Sequence, residues 1–231
     1  MKALLVDLDD TLLDYSGGVE DSWRRAAAVA VERGVDGAAL AEAIFRARRW
    51  FWDDPGRHRR ERLDMIGAWR QIAARGLADV GAADANLAAA IAHAYADHRW
   101  ERMALYPGVR DALGRLRSQG LRMALVTNGD ARQQRRKVEQ YDLAGFFDAI
   151  LIEGEFGAGK PDESVYRHAL AAIGARPDES WMVGDNLEWD VAGPQRLGLR
   201  GIWVDQRGTG LPEPSPVVPH RIIRTFPELT A

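Results

Sequence analysis

The sequence contains no cysteine, which excludes disulfide bonds, thiol nucleophiles and cysteine-ligated zinc. No apolar run approaches the ~18 residues that a membrane-spanning helix needs, and the apolar stretch before the first aspartate is too short for a secretory signal. The net charge of −3 gives no reason to expect a nucleic-acid partner. These absences favour a cytoplasmic enzyme or binding protein with no membrane or nucleic-acid partner. A monomer and a homodimer stay equally open.

Two regions of the 231-residue chain differ in composition and in the spacing of their apolar residues. Residues 15–105 are rich in alanine, arginine and tryptophan, and their apolar spacing predicts four amphipathic helices at 19–33, 38–52, 60–75 and 84–103. Five of the eight tryptophans lie in this region, and we interpret them as core residues because tryptophan is mostly buried in proteins. The arginine-rich run 57–62 is interpreted as a solvated face rather than a substrate clamp.

From residue 106 onward, short apolar strands alternate with helices. Strands are predicted at 121–126, 149–152, 181–183 and 201–204, with one more at 220–223, and a weak helix is predicted at 188–197. This alternation predicts a parallel sheet with helices on both faces, and the first apolar run, 3–6, must join that sheet. The predicted fold is therefore an α/β, Rossmann-like core of residues 1–14 and 106–231, with a four-helix insertion at 15–105.

Chemically active side chains recur where the predicted strands end. Asp7 and Asp9 follow the first strand and share a face, because side chains on a strand alternate. Two carboxylates ~4 Å apart repel by ~4 kcal/mol at an effective dielectric of ~20, so a proton, a basic side chain or a divalent cation must offset them. Ligands of parallel sheets bind beyond the strand ends, and the later strands supply Thr127, Asn128, Lys160, Asp185 and Asp190.

Each segment taken alone has a simpler interpretation. Aspartates after a strand can form a solvated turn, Thr127-Asn128-Gly129 can be a helix cap, and Lys160 can be a surface lysine. The run 154–160 fits the front of a nucleotide-binding P-loop, but Pro161 stands where that loop needs serine or threonine. The order of the four segments favours a functional site.

Four segments resemble the four motifs of the haloacid dehalogenase-like (HAD) hydrolase superfamily, in the same order. They are Asp7-Leu8-Asp9-Asp10-Thr11-Leu12, Thr127-Asn128-Gly129, Gly159-Lys160-Pro161 and Gly184-Asp185-Asn186-Leu187-Glu188-Trp189-Asp190. Within the superfamily the chain most resembles the small-molecule phosphatases. The resemblance implies that the inserted helices are the family's helical cap, which closes over the site and selects the substrate.

Catalytic roles follow from the resemblance and agree with the chemistry of the residue types. A carboxylate can be the nucleophile in phosphoryl transfer and form an aspartyl phosphate, and Asp7 is the candidate. Asp9 would protonate the leaving oxygen and later accept a proton from water. Thr127 and Lys160 complete the predicted catalytic set, and Thr127, Asn128 and Lys160 are predicted to bind the phosphoryl oxygens.

A divalent cation is predicted from the local charge. Four aspartates and a phosphate monoester of charge about −2 face Lys160 alone, which leaves a large negative excess. Asp7 and Asp185 suit Mg²⁺, a hard cation that prefers carboxylate oxygens, and the resemblance adds Asp9 through its main-chain carbonyl. Asp190 and Asn186 are predicted to lie outside the coordination sphere, where Asp190 would orient Lys160 or a metal-bound water.

The acid at position 9 helps to choose the reaction. The resemblance implies that dehalogenases lack an acid there, since halide leaves without a proton, whereas an alkoxide needs one. We therefore predict a Mg²⁺-dependent phosphatase that acts on a small phosphorylated metabolite. A phosphosugar mutase with the same site and a non-catalytic binding protein with this fold stay as alternatives.

Overall fold

The computed structural model describes residues 2–230, which divide into two units. One unit joins the N-terminal segment up to Tyr15 to the segment that begins at Ala104. The other unit is the continuous segment Ser16–Met103, which is inserted in the sequence between the first and second strands of the sheet. No helix within residues 2–230 combines the length and the apolarity needed to cross a membrane.

The Ser16–Met103 unit consists of helices. They are α1 (Val19–Ala27), continued by a 3₁₀ turn (Ala28–Arg33), α2 (Gly37–Trp52), α3 (Pro55–Glu61), α4 (Met65–Asp79) and α5 (Ala85–Arg102). The predicted helix 60–75 is wrong in its bounds, and the insertion has five α-helices rather than four. Two aspartate caps explain the break: Asp54 accepts from the Arg57 N–H (2.6 Å) and Asp64 from the Gly67 N–H (2.9 Å).

Aromatic and small apolar side chains form the core of this helical unit. Trp23 stacks on Tyr95 with ring centroids 3.8 Å apart, and Trp69 meets the same tyrosine edge-on at 5.0 Å. These three rings are buried, as is Trp100, in agreement with the predicted core role. Burial of an apolar face, rather than intrinsic helix propensity, is what stabilises helices of this length.

The other two tryptophans of the unit depart from this core role: Trp52 is half-buried, and Trp50 has 48% of its surface exposed. The Arg57 guanidinium lies 3.8 Å from the Trp50 ring centroid and donates to the Trp50 carbonyl (3.0 Å), while Arg75 lies 4.5 Å from the same ring. Arg57 belongs to α3, and no residue of that helix is buried. The arginine-rich run therefore lies on a solvated face, as its sequence predicts.

A six-stranded parallel sheet organises the other unit. Its strands are β1 (Ala3–Val6), β2 (Arg122–Thr127), β3 (Ala149–Ile152), β4 (Ser180–Gly184), β5 (Arg200–Val204) and β6 (Arg221–Ile223), in the spatial order β3-β2-β1-β4-β5-β6. The predicted α/β, Rossmann-like fold is confirmed. Because the strand order reverses at β1, the carboxyl ends of β1, β2 and β4 meet at the switch point where such sheets bind ligands.

The helices of the sheet unit are α6 (Val109–Ser118), α7 (Ala131–Gln140), α8 (Glu153–Phe156), α9 (Glu163–Ala172) and α10 (Gly193–Gln195). Helix α9 packs on the sheet face that Ala3 and Leu5 form with alternate residues of β2. All four residues of β1 are fully buried, as expected of a central parallel strand. Val6 pairs with Leu125 and Val183, so the next residue, Asp7, emerges level with the ends of both neighbouring strands.

Candidate active site

Asp7 lies at the centre of the site. Its main-chain N–H donates to the Val183 carbonyl (3.0 Å), which extends the hydrogen bonding of β1 by one residue beyond Val6. Its side chain is buried and both carboxylate oxygens accept hydrogen bonds. Thr11 Oγ1 donates to Oδ2 (2.9 Å) and Lys160 Nζ donates to Oδ1 (2.7 Å). The structure therefore brings together Asp7 and Lys160, two residues predicted from segments 153 positions apart.

The chain turns back immediately after β1. The N–H groups of Leu12 and Leu13 both donate to the Leu8 carbonyl (2.9 and 3.0 Å). Asp10 adopts a φ of 59°, a left-handed conformation that aspartate tolerates better than most residues. This turn places the fully buried Thr11 beside Asp7.

Asp190 shares Lys160 with Asp7. The Lys160 ammonium donates to Asp190 Oδ1 (2.7 Å), and the Asn186 N–H donates to Asp190 Oδ2 (3.0 Å). Gly184 has no space for a side chain, because a Cβ there would lie 2.2 Å from Asp190 Cγ. Both residues predicted to orient the site from outside, Asp190 and Asn186, are thus in direct contact with each other.

The segment after β4 carries these residues in an unusual turn. Asn186 Oδ1 accepts from two N–H groups (3.1 and 3.0 Å) and caps a π-helical turn, Leu187–Ala192, which leads into α10. The weak helix predicted at 188–197 is therefore wrong in type and length, since it begins as a π-turn and its α-helical part is only three residues long. Trp203 Nε1 donates to the Asp185 carbonyl (2.7 Å), which anchors the start of the segment to β5.

The loop after β2 is tied to the segment after β3. The side-chain amide of Asn128 donates to the Lys160 carbonyl (2.8 Å) and accepts from the Lys160 N–H (2.7 Å). Glu153 accepts from the Gly129 N–H (2.8 Å), and the Gly154 N–H donates to the Gly129 carbonyl (3.0 Å). The Asn128 side chain therefore holds the main chain at Lys160. Its contact with the substrate stays a prediction.

Asp9 faces helix α7. Lys137 Nζ donates to both carboxylate oxygens of Asp9 (2.8 and 2.7 Å), and Gln134 Nε2 donates to Asp9 Oδ2 (3.0 Å). The same amide nitrogen lies 2.6 Å from Thr127 Oγ1. Gln134 and Lys137 are both buried. The predicted catalytic residues Asp9 and Thr127 are thus linked through Gln134.

Burial dominates the electrostatics of the site. It raises the pKa of Asp7 to about 7, against the opposing charge of Lys160, and the pKa of Asp185 to about 9, with the charge of Asp7 adding to the shift. Burial also raises the pKa of Asp190. Burial alone would lower the pKa of Lys160, but the charges of Asp190 and Asp7 outweigh it and raise that pKa, so the lysine stays protonated.

Three carboxylates have the spacing of a cation site. Asp7, Asp185 and Asp190 each offer an oxygen, and these atoms lie within 4.8 Å of one another. Both oxygens of Asp190 accept from Lys160 and the Asn186 main chain, and both oxygens of Asp7 accept from Lys160 and Thr11, so hydrogen bonding does not rank the two. Asp7 and Asp185 stay the predicted ligands for Mg²⁺, a cation that prefers carboxylate oxygens. A divalent cation would favour the ionised forms of both, against the effect of their burial. The donor set therefore fits a hard divalent cation.

Two points refine the predicted charge balance. Lys137 is a second buried cation, so Asp7, Asp9, Asp185 and Asp190 face two ammonium groups rather than one. Two negative charges stay uncompensated if all four carboxylates are ionised, before the phosphate is counted, and this excess still favours a divalent cation. The Asp9 carboxylate is held by Lys137, and the ligand role that the resemblance implies for its main-chain carbonyl stays a prediction.

The sequence predicts no role for four residues that build the site, namely Thr11, Gln134, Lys137 and Glu153. Thr11 lies within the first motif, and a weak signal exists for two of the others. Gln134, Lys137 and Val138 lie at positions i, i+3 and i+4 of α7 and so share one helix face, and that face is buried. Without the position of Asp9, however, Lys137 cannot be distinguished from the arginines that surround it in the sequence.

Comparison with known proteins agrees with this geometry. Residues 1–198 match the haloacid dehalogenase-like hydrolase family. The chain is 37% identical to the phosphoserine phosphatase of Thermus thermophilus, covering 89% of each protein, and 30% identical to the glyceraldehyde 3-phosphate phosphatase of Methanopyrus kandleri, covering 86% of this chain and 82% of that one.

A magnesium-bound structure of YfnB from Bacillus subtilis shares the fold. Its TM-score is 0.72 at 23% identity, over 99% of this chain and 96% of that one. The match along the chain, the phosphatase relatives and the helical insertion between β1 and β2 confirm the resemblance seen in the four sequence motifs. The protein belongs to the haloacid dehalogenase-like hydrolase family.

Proposed function

We propose that this protein is a Mg²⁺-dependent phosphatase that hydrolyses a small phosphomonoester through an aspartyl phosphate at Asp7. The observation that carries the proposal is the buried Asp7 carboxylate, which lies at the sheet switch point and touches the Lys160 ammonium. Phosphoryl transfer depends mainly on positioning and on counter-charge around the phosphoryl oxygens. A buried carboxylate beside a fixed cation supplies a nucleophile and part of that counter-charge.

Asp7, Asp9 and one water molecule account for every bond and proton in the proposed reaction. An Asp7 oxygen forms a bond to phosphorus as the ester P–O bond breaks, and the leaving oxygen takes a proton from the Asp9 carboxyl group. Water then gives a proton to Asp9 while its oxygen bonds to phosphorus, the bond to Asp7 breaks and inorganic phosphate leaves. Asp7 and Asp9 return to their starting states.

Thr127 and Lys160 hold the phosphoryl group in this proposal. Thr127 Oγ1 is the last side chain of β2 and can donate to a phosphoryl oxygen, while Lys160 contributes a fixed positive charge. Asp7 and Asp185, with the Asp9 main-chain carbonyl, would hold Mg²⁺. Asp190, with Asn186, would act from outside the coordination sphere by orienting Lys160 or a metal-bound water. A divalent cation held there would neutralise part of the negative charge of the carboxylates and of the phosphoryl group.

The relatives and the helical insertion support a small phosphorylated metabolite as the substrate class. The two phosphatases compared above are named for small phosphorylated metabolites, phosphoserine and glyceraldehyde 3-phosphate. We propose that residues 15–105 act as the cap that selects such a substrate, and that residues 1–14 and 106–231 carry the catalytic groups. Closure of a cap excludes bulk water from the reacting atoms.

Replacement of the nucleophile tests the central step. Asp7→Asn should abolish phosphate release from p-nitrophenyl phosphate, because an amide cannot form the aspartyl phosphate. Asp142→Asn is the matched control: it changes a highly exposed aspartate of the same unit and should keep wild-type turnover. Retained turnover in Asp7→Asn would remove Asp7 from the nucleophile role. Phosphate transfer between sugar hydroxyls with little release to water would favour the mutase alternative.

Chelation tests the metal. Activity should disappear in EDTA and return with excess Mg²⁺, because burial raises the pKa of Asp7 to about 7 and that of Asp185 to about 9, and a divalent cation is needed to favour the ionised carboxylates. Asp185→Asn should weaken the response to added Mg²⁺, measured as the concentration that restores half the activity. Turnover that is indifferent to chelation would contradict the assignment.

A further inference from the structure

We infer that Lys137 is a positioning residue for Asp9: with Gln134 it holds the Asp9 carboxyl group in the orientation needed to exchange a proton with the leaving oxygen. This inference rests on the proposed function and goes beyond it, because none of the four sequence motifs includes a residue of α7.

The first support is the geometry of the contact. Lys137 Nζ lies 2.8 and 2.7 Å from the two oxygens of Asp9, so one ammonium group contacts the whole carboxylate. Lysine is almost never buried without a partner, and the Lys137 side chain is only 3% exposed. By contrast, Arg132 of the same helix is exposed.

The second support is the set of groups that hold Lys137 and Asp9 from other sides. The Lys137 ammonium lies 4.1 Å from the centroid of the Tyr15 ring, a distance at which the face of an aromatic ring attracts a cation. Gln134 Nε2 bridges Asp9 Oδ2 (3.0 Å) and Thr127 Oγ1 (2.6 Å). The proposed proton carrier and the proposed phosphoryl-binding hydroxyl are therefore connected to one helix.

This contact restricts the rotamer of Asp9 but leaves its carboxyl group able to exchange a proton. An unrestrained aspartate samples three χ1 rotamers, whereas proton transfer requires the carboxyl group within about 2.6–3.2 Å of the oxygen that reacts. Each carboxylate oxygen has two lone pairs. Asp9 Oδ2 accepts from both Lys137 and Gln134, whereas the bond from Lys137 uses one lone pair of Oδ1, which can still accept a proton or a water hydrogen bond. Lys137 thus acts through Asp9 and need not touch the substrate.

The leaving group provides a readout that a merely structural role would not change. Phenolate is more basic than p-nitrophenolate and depends more on a proton from Asp9 as the P–O bond breaks. Lys137→Met should therefore lower kcat/KM for phenyl phosphate by about 10- to 100-fold, below the 10²–10⁴-fold typical of a whole general acid. The loss for p-nitrophenyl phosphate should be at most a few-fold. Lys137→Arg should recover part of the loss, and the control Arg132→Met should match wild type.

A double-mutant cycle shows whether Lys137 works through Asp9. In an Asp9→Asn background, Lys137→Met should cause little further loss, because residues that act as one unit are not additive. Equal losses on both substrates, or additive losses in the cycle, would overturn the inference. If Lys137→Met does not fold, as judged by circular dichroism, Gln134→Leu should show the same leaving-group pattern at smaller size, and its absence would count equally against the inference. Turnover retained by Asp7→Asn, or no turnover by the wild type, would instead overturn the proposed function and this inference with it.

Discussion

The two units of this protein differ in what they bury. The helical unit buries rings, alanines and branched aliphatic side chains, and its aspartates at positions 36, 54, 64 and 84 lie at helix N-termini, where they cap main-chain N–H groups. The sheet unit buries an apolar core as well, but it adds a cluster of ionisable groups at the strand ends, including Asp7, Lys137, Lys160 and Asp190.

Under the proposed function, this difference separates groups that serve stability from groups that serve chemistry. Buried ion pairs seldom stabilise a fold more than well-packed apolar residues would, because each charge must leave water. A cluster such as Asp7, Lys160 and Asp190 therefore needs another reason to exist, and preorganised charge around a reacting phosphoryl group supplies one. In the helical unit, where no such chemistry is proposed, the buried charge among residues 16–103 is Arg99, which donates to the Gly17 carbonyl (2.7 Å).

The largest effect should come from Lys160. Lys160→Met removes the ammonium that Asp7 and Asp190 share and leaves both carboxyl groups buried without it. Loss of one partner from a buried ion pair typically costs about 3–5 kcal/mol of unfolding free energy. Urea unfolding in EDTA measures this cost, and phosphate release should fall at the same time. Arg167→Met is the matched control, since that exposed cation pairs with Glu163 within helix α9. A Lys160 variant as stable as its control would show that the cluster tolerates the loss of its cation.

A smaller effect should come from one glycine in each unit. A Cβ at Gly76 of α4 would lie 2.6 Å from Ile44 Cγ1 and 3.1 Å from the Ile44 main-chain nitrogen, so Gly76→Ala should cost about 1–3 kcal/mol through overpacking between α2 and α4. Gly114 of α6 has no neighbour within 4 Å of such a Cβ. Gly114→Ala should therefore stabilise the protein by about 0.4–1 kcal/mol, because alanine favours the helix. Thermal unfolding of both variants checks the contrast, and shifts of the same sign would contradict it.

The strand ends show how far sequence reasoning reaches. The spacing of Asp7 and Asp9 predicts a strand exit with two acids, and the order of the later segments predicts their convergence. The contacts of Lys160 with Asp7 and Asp190 agree with that prediction. For Asp9, period-two alternation predicts only the side of the chain on which the carboxylate lies. Its contacts with Lys137 and Gln134 depend on how α7 packs, which the local sequence does not give.

The helical unit shows the same limit at a coarser scale. Apolar periodicity predicts its long helices, but it merges α3 and the beginning of α4 because charged residues continue through both. The break between them depends on which aspartates cap main-chain N–H groups. From the sequence alone, Asp53, Asp54 and Asp64 are equally plausible caps. The structure selects Asp54 and Asp64.

By itself, the sequence determined the parallel α/β core, the helical insertion and the family, because strand and helix periodicity and four ordered motifs are local properties of the chain. Only the tertiary structure decided that Lys137 and Gln134 meet Asp9, that Asn128 holds the main chain of Lys160, and that Thr11 returns to Asp7. The physical reason is that a buried charge or amide is placed by its partner, and these partners are set by how a helix or loop packs against the sheet.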